Sequence, residues 1–543
     1  MTKNVFTKIL SFVLCLSMIF SLAGCKKDPA GSNPAENGDN QDNNSGSLDS
    51  AGNGDAGNSS NAAAKGDGIF TLNFDASEPF NPYTCTNIYN RTVSDLLYEG
   101  LFAIGEGFET TNVLCESFST EDGQTYDFTL LPNVIMSDGA AFTADDAVYS
   151  IKQAMTSSLY KSRFSSVSAV EKTGDRSFRI TLTSKNYMFS CLLDVPMIRN
   201  GSIGENTPAG TGPYSFNDQA GNPHLEARKN YRDPSAVPAD VIGLSEYDAN
   251  DISAAFSDLS LDLLALDLYG TNKYNFQENR ETKYYNTTIM QYVGFNANSP
   301  ALSDQQFRLA LSYCINREDI VSSVYDGHAL ASPLAMSPYH YLYPAKTAEL
   351  YPYSLISASG LLASIGMDDS NSDSFLEYPY ESGMGAITLD FIVNSDNANK
   401  LEAARMIASG IKKAGINVNL RELSWDEYSS ALSSGNFDMY YAEVKLQPDF
   451  DLSSLLLPGG SLNYGGINDE QYGSLISICK TSAGTTAQVS VSQLLDYTAQ
   501  QAHIVPVLFR QQAVITHINS VSGLTPTISS IFYKIEDFKI NVG

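Results

Sequence analysis

Asp449 and Asp451 stand two residues apart in the run Lys445-Leu446-Gln447-Pro448-Asp449-Phe450-Asp451. In an extended segment such residues share a face. Two carboxylates on one face are the raw material of acid/base chemistry such as glycoside hydrolysis. Catalytic pairs of that kind usually come from different elements, and no second motif accompanies this one. No nucleophile, base and orienting group can be assembled around it. Ser137-Asp138-Gly139 offers a hydroxyl, but a turn before a capped helix accounts for it. The five histidines (His224, His328, His340, His503 and His517) lack the spacing of metal ligands. Cys85, Cys115, Cys191, Cys314 and Cys479 form no Cys-x-x-Cys motif, and their odd number leaves at least one unpaired. The expectation is a chain without catalysis, metal or cofactor, its thiols mostly buried.

Leu22-Ala23-Gly24-Cys25 carries chemistry of another kind. Lys3 and Lys8 precede a largely apolar, uncharged run from Ile9 to Leu22, and small residues lead into Cys25. This is the layout of a secretion signal, too short for a comfortable membrane span. The four residues resemble the bacterial lipobox, whose cysteine receives a diacylglycerol. The resemblance implies a signal peptide over residues 1–24, lipidation at Cys25, and a body tied to the outer face of the cell membrane. Residues 25–67 are nearly all Gly, Asn, Ser, Asp and Ala, with Leu48 the one large apolar side chain. Such a segment buries too little surface to offset its ordering entropy, and is expected to be a disordered tether. A Gly-rich coil of this length reaches roughly 35 Å.

Charge narrows the partners. The chain carries a net charge of −28, and loss of residues 1–24 removes two lysines and no acid, giving −30. Phosphate backbones are repelled by such a surface, and no basic stripe offsets it, so nucleic acid is not an expected partner. The body is long enough for two to four domains. No later apolar run is long enough to cross a bilayer.

The elements that would position any site are legible in outline. Ile69, Leu72 and Phe74 read as a strand, and Arg91 to Leu101 as a helix with Val93, Leu96, Leu97 and Leu101 on one side. Tyr126, Phe128 and Leu130 alternate as in a half-buried strand. Thr143 caps a helix that begins Ala144-Asp145-Asp146, with Asp146 placed for a capping box. A second hairpin turns at Thr173-Gly174-Asp175, and Gly210-Thr211-Gly212-Pro213-Tyr214 is a sharp turn before another strand pair. Beyond Tyr292, helices over Asp304–Cys314, Arg317–Tyr325, Lys400–Ala414 and Trp425–Leu432 alternate with strands at Ile387–Val393, Val418–Leu420 and Phe437–Tyr441. Ile504–Val514 is strand-like again. This is α/β patterning.

Several of these blocks together resemble one family. They include Leu96-Leu97-Tyr98-Glu99-Gly100-Leu101, Asp122-Gly123-Gln124-Thr125-Tyr126, Met136-Ser137-Asp138-Gly139 and Phe142-Thr143-Ala144-Asp145-Asp146-Ala147-Val148-Tyr149-Ser150. Gly210-Thr211-Gly212-Pro213-Tyr214, Gly294-Phe295-Asn296, Ala414-Gly415-Ile416 with Trp425, and Gly435-x-Phe437-Asp438-Met439 follow in family order. The family is that of ABC-importer solute-binding proteins for oligopeptides and dipeptides. It implies an α/β, two-lobe periplasmic-binding-protein-like fold (type II) with an extra inserted domain. On that pattern residues 68–293 form lobe I with an insert at about 90–200, 294–505 form lobe II, and 506–543 return to lobe I. The crossings are expected near Val293–Asn296 and Val505–Phe509.

The resemblance also implies a site. A short peptide lies between the lobes as an added strand. Asp449 meets its amino terminus, because an ammonium removed from water needs a paired carboxylate. Lys445, Leu446 and Gln447 offer main-chain groups from one lobe, and Asn87, Ile88 and Tyr89 from the other. Leu446 stands where the family carries an aromatic, and Pro448 lacks a backbone donor. The implied partners are a short peptide, the transmembrane permease subunits and, through Cys25, the membrane, with the chain acting as a monomer. A nickel or metal chelate and an oligosaccharide remain open as ligands. So does a receptor role that reports a peptide without importing it.

Overall fold

The computed structural model describes residues 68–270, 274, 276 and 280–541. The signal peptide, Cys25 and the tether lie outside the described residues. The first elements of the described residues are β1 (Phe70–Phe74) and α1 (Ile88–Leu97). Asn87 starts that helix earlier than the apolar spacing predicts, because its Oδ1 accepts the Tyr89 and Asn90 N–H groups at 2.8 and 3.3 Å. The helix also stops short of Leu101: Tyr98 is extended, at φ −130° and ψ 149°.

An antiparallel sheet follows, built from β2 (Cys115–Ser119), β3 (Thr125–Leu130), β4 (Val167–Lys172) and β5 (Ser177–Leu182) in the order β2-β3-β5-β4. Between β3 and β4 runs α2 (Ala144–Ala154), whose Asp146 carboxylate accepts both the N–H and the hydroxyl of Thr143 at 2.9 and 2.8 Å. The alternation seen in sequence puts Tyr126, Phe128 and Leu130 inward, and Phe128 stacks on Phe178 at 4.9 Å.

The chain then lays down β6 (Tyr214–Asn217), β7 (His224–Ala227), β8 (Val241–Glu246), β9 (Leu263–Leu266) and the long β10 (Arg280–Phe295). Gly210 and Gly212 run under the end of α1. A Cβ at these positions would lie 2.3 Å from the Leu97 oxygen and 2.5 Å from the Leu96 oxygen, so only glycine fits.

The second half alternates helix and strand. It includes α3 (Gln305–Tyr313), α4 (Arg317–Val324), β11 (Ala329–Ala331), β12 (Thr388–Asn394), α5 (Ala398–Lys413), β13 (Asn417–Leu423), α6 (Trp425–Ser434) and β14 (Met439–Lys445). The helices α7 (Glu470–Thr481) and α8 (Thr485–Gln501) lead into β15 (Ile504–His517). Neither was apparent from the sequence, since Ser, Thr and Gln dilute their apolar stripes. All five described cysteines are unpaired and buried.

One sheet links both lobes, in the order β13-β12-β14-β10-β15-β9-β1-β8-β7-β6, with β11 also on β15. Parallel pairs β12–β13 and β12–β14 sit in the second lobe, and β1–β8 and β1–β9 in the first. The joining strands β10 and β15 span 16 and 14 residues and pair antiparallel. Their register breaks between Asn286 and Met290, opposite Gln511 and Phe509. At the break the Thr287 hydroxyl donates to the Arg510 carbonyl at 2.7 Å and accepts the Ile289 N–H at 3.1 Å. On one side β15 pairs with β9, and on the other β10 pairs with β14. The changeover on β10 thus precedes Val293–Asn296. Gly294 marks instead a close packing site, where a Cβ would lie 2.1 Å from the Tyr440 ring.

Candidate ligand cleft

β14 carries the site to the junction of the lobes. Lys445, its last residue, pairs with Ile289 just past the register break. Leu446 is buried, and Thr288 holds it at both main-chain groups: the Leu446 N–H donates to the Thr288 carbonyl at 3.0 Å, and the Thr288 hydroxyl donates to the Leu446 carbonyl at 2.7 Å. Its N–H therefore has no bond left to offer a guest. Gln447 closes a turn, its carbonyl accepting the Phe450 N–H at 2.9 Å. Phe450 takes φ +51° to complete it. The Gln447 side chain reaches across the cleft and donates to the Ser162 hydroxyl at 3.0 Å.

Asp449 is half-buried at the floor of a small cavity that it shares with Asn186, Met336, Phe450, Lys480 and Leu495. Its Oδ1 accepts the Asp451 N–H at 3.2 Å. Burial, and after it the Asp451 charge, push its carboxyl up to about 6, against the pull of Lys480 and Asn186. Asp451 is itself paired with Lys480 at 2.8 Å. The two acids thus have unlike settings. The Ser453 hydroxyl donates to Asp451 at 2.5 Å, and burial pushes the nearby Cys191 thiol well up.

Charges of the first half act on Lys445. Arg163 is ion-paired with Asp194, which also accepts the Ser529 hydroxyl at 3.1 Å. One turn along α1 from Arg91, Asp95 accepts the Ile531 N–H at 3.1 Å, and burial pushes its carboxyl up to about 7. Lys445 is solvent-exposed. Burial, and after it the like charges of Arg91 and Arg163, lower its ammonium to about 8 against the pull of Asp194.

The first-lobe segment is helical rather than extended. Asn87 is spent on capping α1 and on a 3.0 Å bond from its Nδ2 to Asp75, and Ile88 and Tyr89 form the first helical turn. Tyr89 packs on a cluster around Ile252 and Phe256. The structure places Asp449 on the cavity and Gln447 against Ser162, and it brings Arg163 and Asp194 near Lys445, which sequence reasoning missed. A usable signal existed in the alternation of polar side chains, Glu443, Lys445, Gln447 and Asp449, along the end of a buried strand. Among the described residues, no group of three or more His, Cys, Asp or Glu could hold a metal ion. Among them, no helix is long and apolar enough to cross a membrane.

Two lobes joined by paired long strands, with a charged gap at the joint, define an α/β binding protein built to hold a solute between its halves. The model of one family, bacterial extracellular solute-binding proteins, family 5 (its Middle region), matches residues 109–462, and the chain belongs to that family. Its members bind solutes and are not enzymes. The chain is 25% identical over 396 residues to the oligopeptide-binding protein AppA of Bacillus subtilis, covering 66% of this chain and 69% of that protein. The structure of AppA from Bacillus subtilis in complex with a nonapeptide shares the fold at TM-score 0.60 and 21% identity, over 88% of this chain and 100% of that one. NikZ from Campylobacter jejuni in complex with Ni(L-His) matches at TM-score 0.64 and 18% identity, over 87% of this chain and 100% of that one.

Proposed function

We propose that this chain is a lipid-anchored, extracytoplasmic solute-binding protein of an ABC importer that captures short peptides between its lobes and delivers them to the permease. The observation that carries the reading is the pairing of opposite charges on one stretch of chain. Lys445 and Asp449 stand four residues apart, Lys445 exposed and Asp449 lining the cavity, the opposite charges that a guest with an ammonium and a carboxylate requires. The similarity to AppA supports a peptide over other solutes. Asp449 takes the ammonium, and the side chains of Lys445 and Gln447 lie along the guest. Closure about the strand break forms a joint surface of the two lobes for the permease, and the tether after Cys25 gives that surface its reach. The guest leaves chemically unchanged.

The test is a thermal-shift titration of the purified chain with a pool of short peptides and, separately, with nickel–histidine and with oligosaccharides. Stabilisation by the peptide pool alone is expected. Stabilisation by the nickel chelate or the sugars alone would overturn the peptide reading.

A further inference from the structure

Loop tips are usually polar and wet. The tip of a short hairpin in the first lobe, Phe102–Ile104 paired with Thr110–Asn112, departs from that rule. Glu106 and Glu109 are exposed there, but Phe108 between them is only 3% exposed. Its backbone lies in the left-handed region at φ +64°, an uncommon conformation for a bulky side chain. Main-chain bonds close the turn: the Gly105 N–H donates to the Glu109 carbonyl at 2.8 Å, and the Phe108 N–H to the Gly105 carbonyl at 3.1 Å.

The aromatic neighbours of Phe108 both belong to the second lobe. Its ring stacks on His340 at 5.7 Å and meets Phe450 edge-on at 5.2 Å. Beside it the Tyr341 N–H donates to the Gly107 carbonyl at 3.1 Å. Both walls of this socket are fixed without Phe108. The His340 N–H donates to the Ser337 carbonyl at 2.9 Å, and its Nδ1 accepts the Leu342 N–H at 3.0 Å. Phe450 closes the turn from Gln447 at φ +51° and packs on Phe509 of β15 at 6.0 Å. It also adjoins Asp449 and lines the same cavity. Two more bonds cross this boundary, from the Tyr187 N–H to the Lys480 carbonyl at 2.8 Å and from Gln447 to Ser162 at 3.0 Å. Left-handed backbone at a bulky residue persists only where its surroundings over-determine it, and for Phe108 those surroundings include the opposite lobe.

We propose that Phe108 is a clasp between the lobes. On closure its ring seats between His340 and Phe450, which holds the lobes together and fixes Phe450, and with it Asp449, against the guest. Phe108 is a positioning residue and does not touch the guest. Opening returns the ring to water and forfeits the burial gained on closing, so the clasp lengthens the stay of the guest. This deepens, and rests on, the reading that the chain closes on a peptide.

Two variants test it. Phe108→Asn removes the ring and suits a left-handed turn, and Phe108→Tyr keeps the ring. Each full purified chain is mixed with a randomised tetrapeptide pool with free termini. Retention is read by native mass spectrometry, contraction by small-angle X-ray scattering, and melting temperature with and without the pool. Wild type and Phe108→Tyr should retain peptide and contract. Phe108→Asn should retain roughly tenfold to a hundredfold less, the range for one buried ring, and should not contract. Without peptide it should melt close to wild type, because the clasp acts only in the closed arrangement. Retention and contraction of Phe108→Asn equal to wild type overturn the clasp and leave the peptide reading standing. A Phe108→Asn chain that fails to fold, or melts far below wild type without peptide, places the ring in the permanent core and also overturns the clasp. So does an equal loss in Phe108→Tyr. No retention by the wild type overturns the peptide reading, and the clasp falls with it.

Discussion

Arg510 donates from Nη1 to Glu443 Oε2 at 3.1 Å, tying the joining strand β15 to β14 of the second lobe at the break in the ladder. Its other nitrogen, Nη2, is bound to Asp267, just past the end of β9 in the first lobe. Gln291 adds a 2.8 Å bond to Glu443. One buried guanidinium therefore bridges both halves at the point where the β10–β15 pairing loosens. Such a group is expensive to strip of its partners.

Arg510→Met should destabilise the protein by roughly 3–5 kcal/mol, because it leaves two acids without their cation. Combining it with Glu443→Gln and Asp267→Asn should recover most of that loss. Denaturant unfolding of the single and triple variants checks both. Acid acts on the same network. Burial pushes the Glu443 carboxyl up, but the charges of Arg510 and Lys400 and the Gln291 bond outweigh it and hold the carboxyl below its usual range. A depressed carboxylate contributes stability above the ordinary glutamate pKa of about 4.3, and that stability is lost as pH falls below it.

Asp449→Ala should weaken binding of a free-amine peptide far more than binding of its N-acetylated analogue, as measured by calorimetry. Equal losses for both would remove Asp449 from the amine-binding role. Its carboxyl, raised to about 6, adds a pH signature. Free-amine affinity should fall as pH drops from 7 to 5, by up to about tenfold per unit below the pKa. The acetylated peptide should be insensitive.

His340 sits among Phe108, Tyr341 and Phe450, and burial lowers its pKa to about 3. Its Nδ1 accepts the Leu342 N–H at 3.0 Å, so the ring is held neutral. A histidine kept neutral by the fold contributes fully above its unfolded pKa of about 6.5, and its contribution shrinks as pH falls toward the folded value. At pH 5 the loss is about 2 kcal/mol. His340→Gln keeps an acceptor for Leu342 and cannot take that charge. Its stability relative to wild type should improve by about that amount between pH 7 and pH 5, read from paired urea melts.

Gly212→Ala should cost roughly 1–3 kcal/mol, because the new Cβ meets the rigid backbone of Leu96 and Leu97 rather than a side chain that can move. The same change at exposed Gly204, where a Cβ meets nothing within 4 Å, should be near neutral. Thermal melts of the two variants separate close packing from a general effect of adding a methyl.

Local chemistry made much of the fold legible. Thr143 and Asp146, and the turns at Gly174 and Gly415, mark element ends within a few residues of where they occur. α1 begins at Ile88 rather than Arg91 because the Asn87 side chain caps it, and it ends at Leu97. Site residues fared by range. Lys445, Gln447 and Asp449 are close in sequence and could be read together, but the Gln447 side chain finds its partner in Ser162, 285 residues away. That neighbour is set by long-range strand pairing and lobe packing, which no local pattern encodes. Leu446 illustrates the reverse: its main chain looked available until Thr288, on a distant strand, took it up.

Mass spectrometry of whatever the chain retains when purified natively from its host tests the central claim most directly. One short peptide per chain, released on denaturation and unmodified, is the predicted result. A metal chelate or a sugar in its place, or a bare chain that takes up no peptide from an added pool, would contradict the account.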